Sequence, residues 1–215
     1  MLFNSIDFLI FLPIVFVLYW IIETKNTKSS NKFLLLTSYF FYGWWDYRFL
    51  SLIIFSSFID YYVGKKLYST NNKKKRRLLL FTSIFVNIGF LCFFKYYNFF
   101  LYSFITGFTF FGHEINYQPL KIILPVGISF YTFQTLSYTI DIYKNKIKPT
   151  SDIISFFTFV SFFPQLVAGP IERASNLLPQ FHSKKYFSYH KFSSGLKLII
   201  WGFFLKIVVA DRIAL

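Results

Sequence analysis

Acidic residues are scarce in this sequence: nine Asp and Glu face 23 Lys and Arg across 215 residues, for a net charge of +14. Cysteine is nearly absent. The single Cys92 lies inside an apolar run, so no intrachain disulfide can form and the redox compartment stays open. Charged residues make up only 15% of the chain, against about a quarter in soluble globules, while 55% is hydrophobic and 25% aromatic. That composition excludes an ordinary water-soluble domain and points to a bilayer as solvent. No Cys/His spacing suits a metal, and no Gly-rich loop could cradle a phosphate.

Long uncharged runs are what the chain has instead. Leu78–Phe94 covers seventeen residues and Ile122–Ile140 nineteen, near the ~20 a spanning helix needs. Leu2–Ile22 is also long enough; without a basic n-region or a small-residue cleavage site, it is expected to be a retained helix rather than a cleaved signal. Phe192–Ala210 can span with Lys197 and Lys206 snorkelling from near its ends. Phe33–Trp45 and Phe49–Val63 are short, suiting two tilted helices or a covered hairpin, and Ile153–Ala168 is nearly long enough. Tyr96–Phe111, interrupted at Thr106 and Gly107, reads as half-inserted or interfacial. The expectation is an all-α polytopic membrane protein with seven or eight membrane segments in one domain over residues 1–215.

The basic residues cluster. Lys65, Lys66 and the run Lys73–Arg77 share a loop with no acid. Such a run can bind nucleic acid, yet here it is flanked by membrane spans, and the positive-inside rule with attraction to anionic headgroups explains it without a nucleic-acid partner. With that loop cytoplasmic, Asp46–Arg48 falls outside, Lys25, Lys28 and Lys32 inside, Gly112–Lys121 outside, and Lys144, Lys146 and Lys148 inside. The alternation then fails. If 153–168 crosses, Arg173, Lys184, Lys185 and Lys191 fall outside. A re-entrant segment would restore the pattern, provided its irregular backbone is covered by protein or water.

Two stretches combine apolar and polar residues. In "SFFPQLVAGPIER", 161–173, Pro164 removes a helical hydrogen bond and Gly169 with Pro170 ends a helix. Gln165 could donate to the freed carbonyls and Glu172 could pair with Arg173; a plain kinked helix ending at the interface is the alternative. In "LPVGISFYTFQTLSYTIDIY", 124–143, Pro125 opens a helix, Gly127 admits close packing and Ser129 follows. Gln134, Ser137, Tyr138 and Asp141 then fall on one helical face. An intramembrane acid on such a face is a functional candidate; equally, Asp141 could end the span beside Lys144.

These stretches, with "MLFNSIDFLIFLPIVFVLYW", "SYFFYGWWD", "FFKYYNFF" and "GLKLIIWGFFLKIVVADRIA" in order, resemble the membrane-bound O-acyltransferases. The nearest likeness is to the alginate O-acetyltransferase branch, which in turn resembles the D-alanyl transferase of teichoic acid modification. The resemblance implies a ring of tilted helices around a funnel, passing an acyl group from an intracellular donor, acetyl-CoA or an acyl carrier, to an extracytoplasmic polysaccharide hydroxyl. It also implies periplasmic or membrane acetylation partner proteins, a multi-pass location in the inner or plasma membrane, and no bound cofactor. On this reading Ser129, Gln134, Tyr138, Asp141, Gln165 and Arg173 line the substrate path, and Pro125, Gly127, Pro164, Gly169 and Pro170 set its turns.

The family's histidine, usually in a Trp-His-Gly-like setting in the second half, has no counterpart here. Trp20, Trp44, Trp45 and Trp201 precede Ile, Trp, Asp and Gly. His113, His182 and His190 are isolated in polar stretches and are expected to be structural or superficial. The expectation is therefore an amino-terminal portion, inactive alone, whose catalytic histidine lies beyond Leu215. A transporter would share the kinked helices and midplane polar groups, but the two halves show no repeat; a non-catalytic scaffold would need neither.

Overall fold

Short polar residues punctuate the chain and decide where its helices begin. In the computed structural model, which describes residues 1, 3–110, 120–167 and 169–213, every regular element is helical. Ser5 caps α1 (Ile6–Lys25) by accepting from the Phe8 amide at 3.3 Å. Asn26 both ends α1 and caps α2 (Thr27–Asp46), accepting from Lys28 N at 2.9 Å, so one residue turns the hairpin. Asp46 caps the tight turn Tyr47–Phe49 that leads into α3 (Leu50–Ser69), and Asn72 caps α4 (Lys73–Leu91). Each supplies an acceptor for amides that a helix start leaves unpaired.

α1, α2 and α3 each hold twenty residues, about 30 Å of helix, matching the hydrocarbon core. The two short runs at 33–45 and 49–63 are thus the apolar centres of full-length helices whose polar ends hid them. α4 likewise does not stop at Leu91. A π-turn over Cys92–Tyr96 carries it into α5 (Tyr97–Phe110). Thr106 does not break it, because its hydroxyl folds back on the Tyr102 carbonyl at 2.9 Å. The expected break at 106–107 is therefore absent.

Among the described residues three helices are long and apolar enough to cross a membrane: Ile6–Lys25, Lys73–Thr109 and Tyr189–Ile213. Ile6, Leu9 and Ile10 on α1 and Leu78 and Phe85 on α4 are exposed, and α10 (Tyr189–Phe204), which continues through a π-turn at Leu205–Ala210 into α11 (Asp211–Ile213), buries nothing. Apolar faces turned outward over such lengths belong to a membrane protein. α3 packs on α4, α6 (Ile128–Tyr143) and α7 (Ile153–Ser161), while α2 packs on α1 and α7. Ile53, Leu67, Tyr138, Ile142, Phe156 and Phe159 form the centre of the core.

The 153–168 stretch is not one helix. α7 holds nine residues, about 13 Å, less than half the hydrocarbon thickness. It breaks at Phe162, resumes for one turn as α8 (Phe163–Leu166), and the chain then returns through α9 (Ala174–His182). Thr150 Oγ1 and His182 Nε2 lie 3.3 Å apart, so the excursion begins and ends at one level. Asn31 Nδ2 donates to Phe181 O at 2.6 Å, tying that level to the α1–α2 turn. The loop at Lys184 and Lys185 thereby joins Lys25, Lys28 and Lys32 at one basic end. Arg76 completes that end, donating to Leu67 O, Tyr143 O and Asn145 Oδ1 at 2.8, 2.7 and 3.0 Å. The expected outer loop at 112–121, with His113 and Asn116, falls largely outside the described residues.

Candidate functional site

The two polar stretches of the sequence meet in space. At the α7–α8 break the Phe163 amide donates to Ser38 Oγ at 3.2 Å instead of continuing the helix. Phe159 O, which that amide would otherwise bond, accepts from Gln134 Nε2 of α6 at 2.7 Å. Side chains from two other helices thus satisfy the groups that the break exposes, as an apolar surrounding demands. Gln165 does not do this; it is buried, with its backbone bonded to Phe162 O and Gly169 N at 3.0 Å each.

Gly127 sits at the same junction. Its φ is +75°, and a Cβ there would fall 2.5 Å from Leu166 O, so only glycine admits the chain crossing. Pro125 accepts from Ile128 N at 3.3 Å and precedes α6 by one turn rather than opening it directly. Gly169 packs back on its own turn, where a Cβ would meet Gln165 Cα at 2.6 Å. Pro164 and Pro170 are exposed at either side.

The other expected path residues diverge. Tyr138 is fully buried, its ring 4.6 Å from that of Phe156 and its hydroxyl accepting from Thr150 N at 3.3 Å. Ser129 accepts from Lys95 Nζ at 3.4 Å near the start of α6. Asp141 is buried near the basic end, and its side chain bonds to no described residue; its carbonyl accepts from Lys146 N at 2.8 Å. Arg173 is exposed and caps α9 through its backbone. Glu172 and Arg173 form no ion pair: among the described residues the ion pairs are Asp46–Arg48 and Lys206–Asp211. His182 and His190 are exposed, and no group of ligating side chains suited to a metal occurs among the described residues.

Another buried polar cluster went unread in the sequence. Asp60 of α3 is fully buried between α4 and α6. Ser83 Oγ and Asn87 Nδ2 donate to its two oxygens at 2.5 and 2.8 Å, with Thr139 Oγ1 at 3.4 Å. Ser56 and Thr135 in turn donate to Asn87 Oδ1 at 2.7 and 3.3 Å. The signal was present: Ser56 and Asp60, Ser83 and Asn87, and Thr135 and Thr139 each recur at i, i+4 within apolar runs. A second buried acid, Glu23, ends α1. Thr27 Oγ1 and Lys185 N reach its carboxylate at 3.0 Å each, and Ser30 Oγ also donates to it.

Beside Glu23 the basic end opens into a cavity of about 950 Å³. Lys25, Lys28, Lys32, Lys184 and His182 line it, with Asp152 as its one acid.

No protein-family model matches the chain, and no solved structure matches it. Curated proteins do. All 215 residues align at 37% identity with a probable alginate O-acetylase of Pseudomonas syringae pv. tomato, spanning 41% of that protein, and at 35% with a counterpart in Pseudomonas aeruginosa, spanning 41%. A peptidoglycan O-acetyltransferase of Helicobacter pylori is 35% identical over 243 aligned residues, 45% of its length. The chain is similar along its whole length to proteins bearing these O-acetylase and O-acetyltransferase names. It spans less than half the length of the curated relatives it matches. The junction of α6 with the α7–α8 break is an assembled polar site in this helical, largely apolar protein.

Proposed function

We propose that this protein transfers acyl groups, acetyl first among them, to hydroxyls of an extracytoplasmic polysaccharide such as alginate or peptidoglycan. The observation that carries the reading is similarity along the whole chain, at 33–37% identity, to proteins bearing those two O-acetyltransferase names. The donor, acetyl-CoA or an acyl carrier, approaches from the basic end as a substrate. Ser129, Gln134, Tyr138, Asp141, Gln165 and Arg173 belong to the walls of the path or support them, and the Gly127 and Pro164–Pro170 turns hold its shape. Residues 1–215 form part of one membrane-embedded domain, multi-pass in the inner or plasma membrane, working with periplasmic or membrane acetylation partners.

Acyl transfer requires a base to take the acceptor hydroxyl's proton and donors to hold the developing oxyanion. The exposed His182 and His190 lack the enclosed setting that this chemistry needs, and we assign the base to neither of them. The chain's own contribution is shape: a short break, braced by Ser38 and Gln134, that lets a segment enter from the basic end and return. The test is an acetyl-transfer assay on membranes carrying the protein in its native reading frame, with alginate and peptidoglycan as acceptors and a Gln134→Leu variant beside it. Acetylated polysaccharide, reduced in the variant at equal protein level, supports the reading. Substrate uptake into vesicles with no acetylation would make the protein a transporter.

A further inference from the structure

We propose that a groove between α1 and the 177–192 segment, at the basic end, binds one anionic phospholipid. Two cavities adjoin there and share Phe16, Trp20, Gln180 and Lys185 in their walls. The smaller one, about 300 Å³, is a slot lined by Leu12, Val15, Phe163 and Phe181 among other apolar groups. The larger one, about 590 Å³, carries Lys184, Lys185 and Lys191 and no carboxylate. Both volumes fall in the ~300–1,000 Å³ range of ligand sites. An apolar slot opening into a lysine-lined vestibule has the chemistry of one molecule with an acyl chain at one end and a phosphate at the other.

A second observation points to the same ligand. Trp20 lines both cavities, and its Nε1 is buried with no hydrogen-bond partner among the described residues. A buried indole N–H usually finds an acceptor. A phosphate or ester oxygen at the slot's mouth supplies one. The nearby acid cannot compete for the lysines' charge, because Glu23 is enclosed and already accepts from Thr27, Ser30 and the Lys185 backbone. That same contact fixes the Lys184–Lys185 loop over the groove. Burial without a full counterion lowers the Lys185 ammonium pKa, and its Nζ spends donors on the carbonyls of Gln180 and Ser183. Lys184 and Lys191 are exposed; the Lys184 ammonium rests only on the face of the Tyr186 ring, 6.0 Å from its centre, a contact that a phosphate can replace.

The walls are built as well as charged. Trp20 stacks edge-on with Phe187 at 5.4 Å, and Phe16 lies 5.3 Å from Phe192, so α1 and the start of α10 are joined by rings across the groove. Trp20 stands five residues before Lys25, at the depth where an aromatic belt meets headgroups. The anionic lipids of the leaflet facing the basic end supply the occupant. The inference is independent of acyl transfer, since it assigns the lipid no chemistry.

Lipid binding to the detergent-purified full chain, titrated with short-chain phosphatidylglycerol or phosphatidylcholine and read by native mass spectrometry, tests it. Phosphatidylglycerol is expected to fill one site at least tenfold more tightly than phosphatidylcholine. Lys184→Ala and Lys191→Ala should each weaken it about fivefold. Trp20→Phe, which keeps a ring but removes the N–H, should weaken it too, and Lys73→Ala with Lys74→Ala should leave it unchanged. Lys191 is exposed on the first turn of α10, so its variant keeps the fold and the test stands even if Trp20→Phe misfolds. Equal binding of the two lipids, equal loss in the Lys73/Lys74 pair, no effect of Lys191→Ala, or inorganic phosphate competing as well as the lipid would each overturn the proposal.

Discussion

Gln134 Nε2 donates to the Phe159 carbonyl at 2.7 Å, across 25 residues of sequence, and so bridges the middle of α6 to the end of α7. That carbonyl would otherwise accept from the Phe163 amide, which has turned to Ser38. Gln134→Leu removes the side-chain donor to Phe159 O found among the described residues and leaves that buried carbonyl short of a partner, at a cost of about 1–3 kcal/mol. The variant is expected to unfold at lower temperature in detergent and, on the proposed function, to lose acyl transfer. Normal melting and full activity would mean that the break is held by other contacts.

Phe156 shows how the structure changes an expectation that the sequence alone would support. As one apolar residue among many, Phe156→Leu reads as a mild control for Gln134→Leu, Asp141→Leu and Arg173→Leu. Yet Phe156 is fully buried, with Tyr138 and Tyr61 rings 4.6 and 5.7 Å away. Replacing it leaves part of a ring's volume unfilled, while exposed Arg173 has little packing to lose. In thermal unfolding Phe156→Leu should therefore fall below Arg173→Leu, whereas any activity effect of Arg173→Leu should appear without a stability change.

Gly127→Ala is predicted to be among the most damaging single-methyl additions. The residue holds φ +75°, which costs a side chain about 1–3 kcal/mol, and the new Cβ would lie 2.5 Å from a backbone oxygen that cannot rotate away. Loss of folded protein in membranes, or a large fall in melting temperature, is the expected outcome. A silent substitution would show that the crossing of 127 over 166 is loose.

Much of this was legible because it depended on local rules. Composition gave the solvent, apolar runs located the helix centres, and Pro164 and Gly169 marked the break. The ends of α2 and α3 were harder to read, since hydropathy fades where Lys28, Lys32, Lys65 and Lys66 continue a helix beyond its apolar centre. The partner of Phe159 O could not be read at all: Gln165 was adjacent, but the donor came from another helix. Asp60 was overlooked for a similar reason. A single acid near a basic loop suggests an interface, and only tertiary packing shows its carboxylate enclosed by Ser83, Asn87 and Thr139.

That enclosure makes an asymmetric prediction for Asp60 and Asn87. Asp60→Asn keeps the shape and one acceptor oxygen, whereas Asn87→Leu removes a donor from a buried carboxylate and the acceptor used by Ser56 and Thr135. Leaving a buried polar group without its partner costs about 1–3 kcal/mol, and the stranded hydroxyls add to the loss. Asn87→Leu should destabilise more than Asp60→Asn in a detergent melting series. The reverse order would mean that the carboxylate's second oxygen contributes more than its donors do.

The hairpin of α7–α9 carries the last prediction, because it decides how the membrane is counted. α7 is too short to cross, and Thr150 and His182 meet where the segment begins and ends. Ser183 should therefore share a side with Asn72 and with the α1–α2 turn, opposite to Tyr47. In a Cys92→Ser background, cysteines at Ser183 and Asn72 are expected to resist an impermeant thiol reagent in intact cells and to react after lysis, while Tyr47→Cys reacts in both. All three native side chains are exposed, so shielding reports the membrane and not burial in the fold. If Ser183→Cys labels in intact cells while Asn72→Cys does not, residues 153–182 cross the bilayer, and the lysines at 184, 185 and 191 stand on the outer side. Labelling of both would invert the whole protein while leaving the hairpin intact.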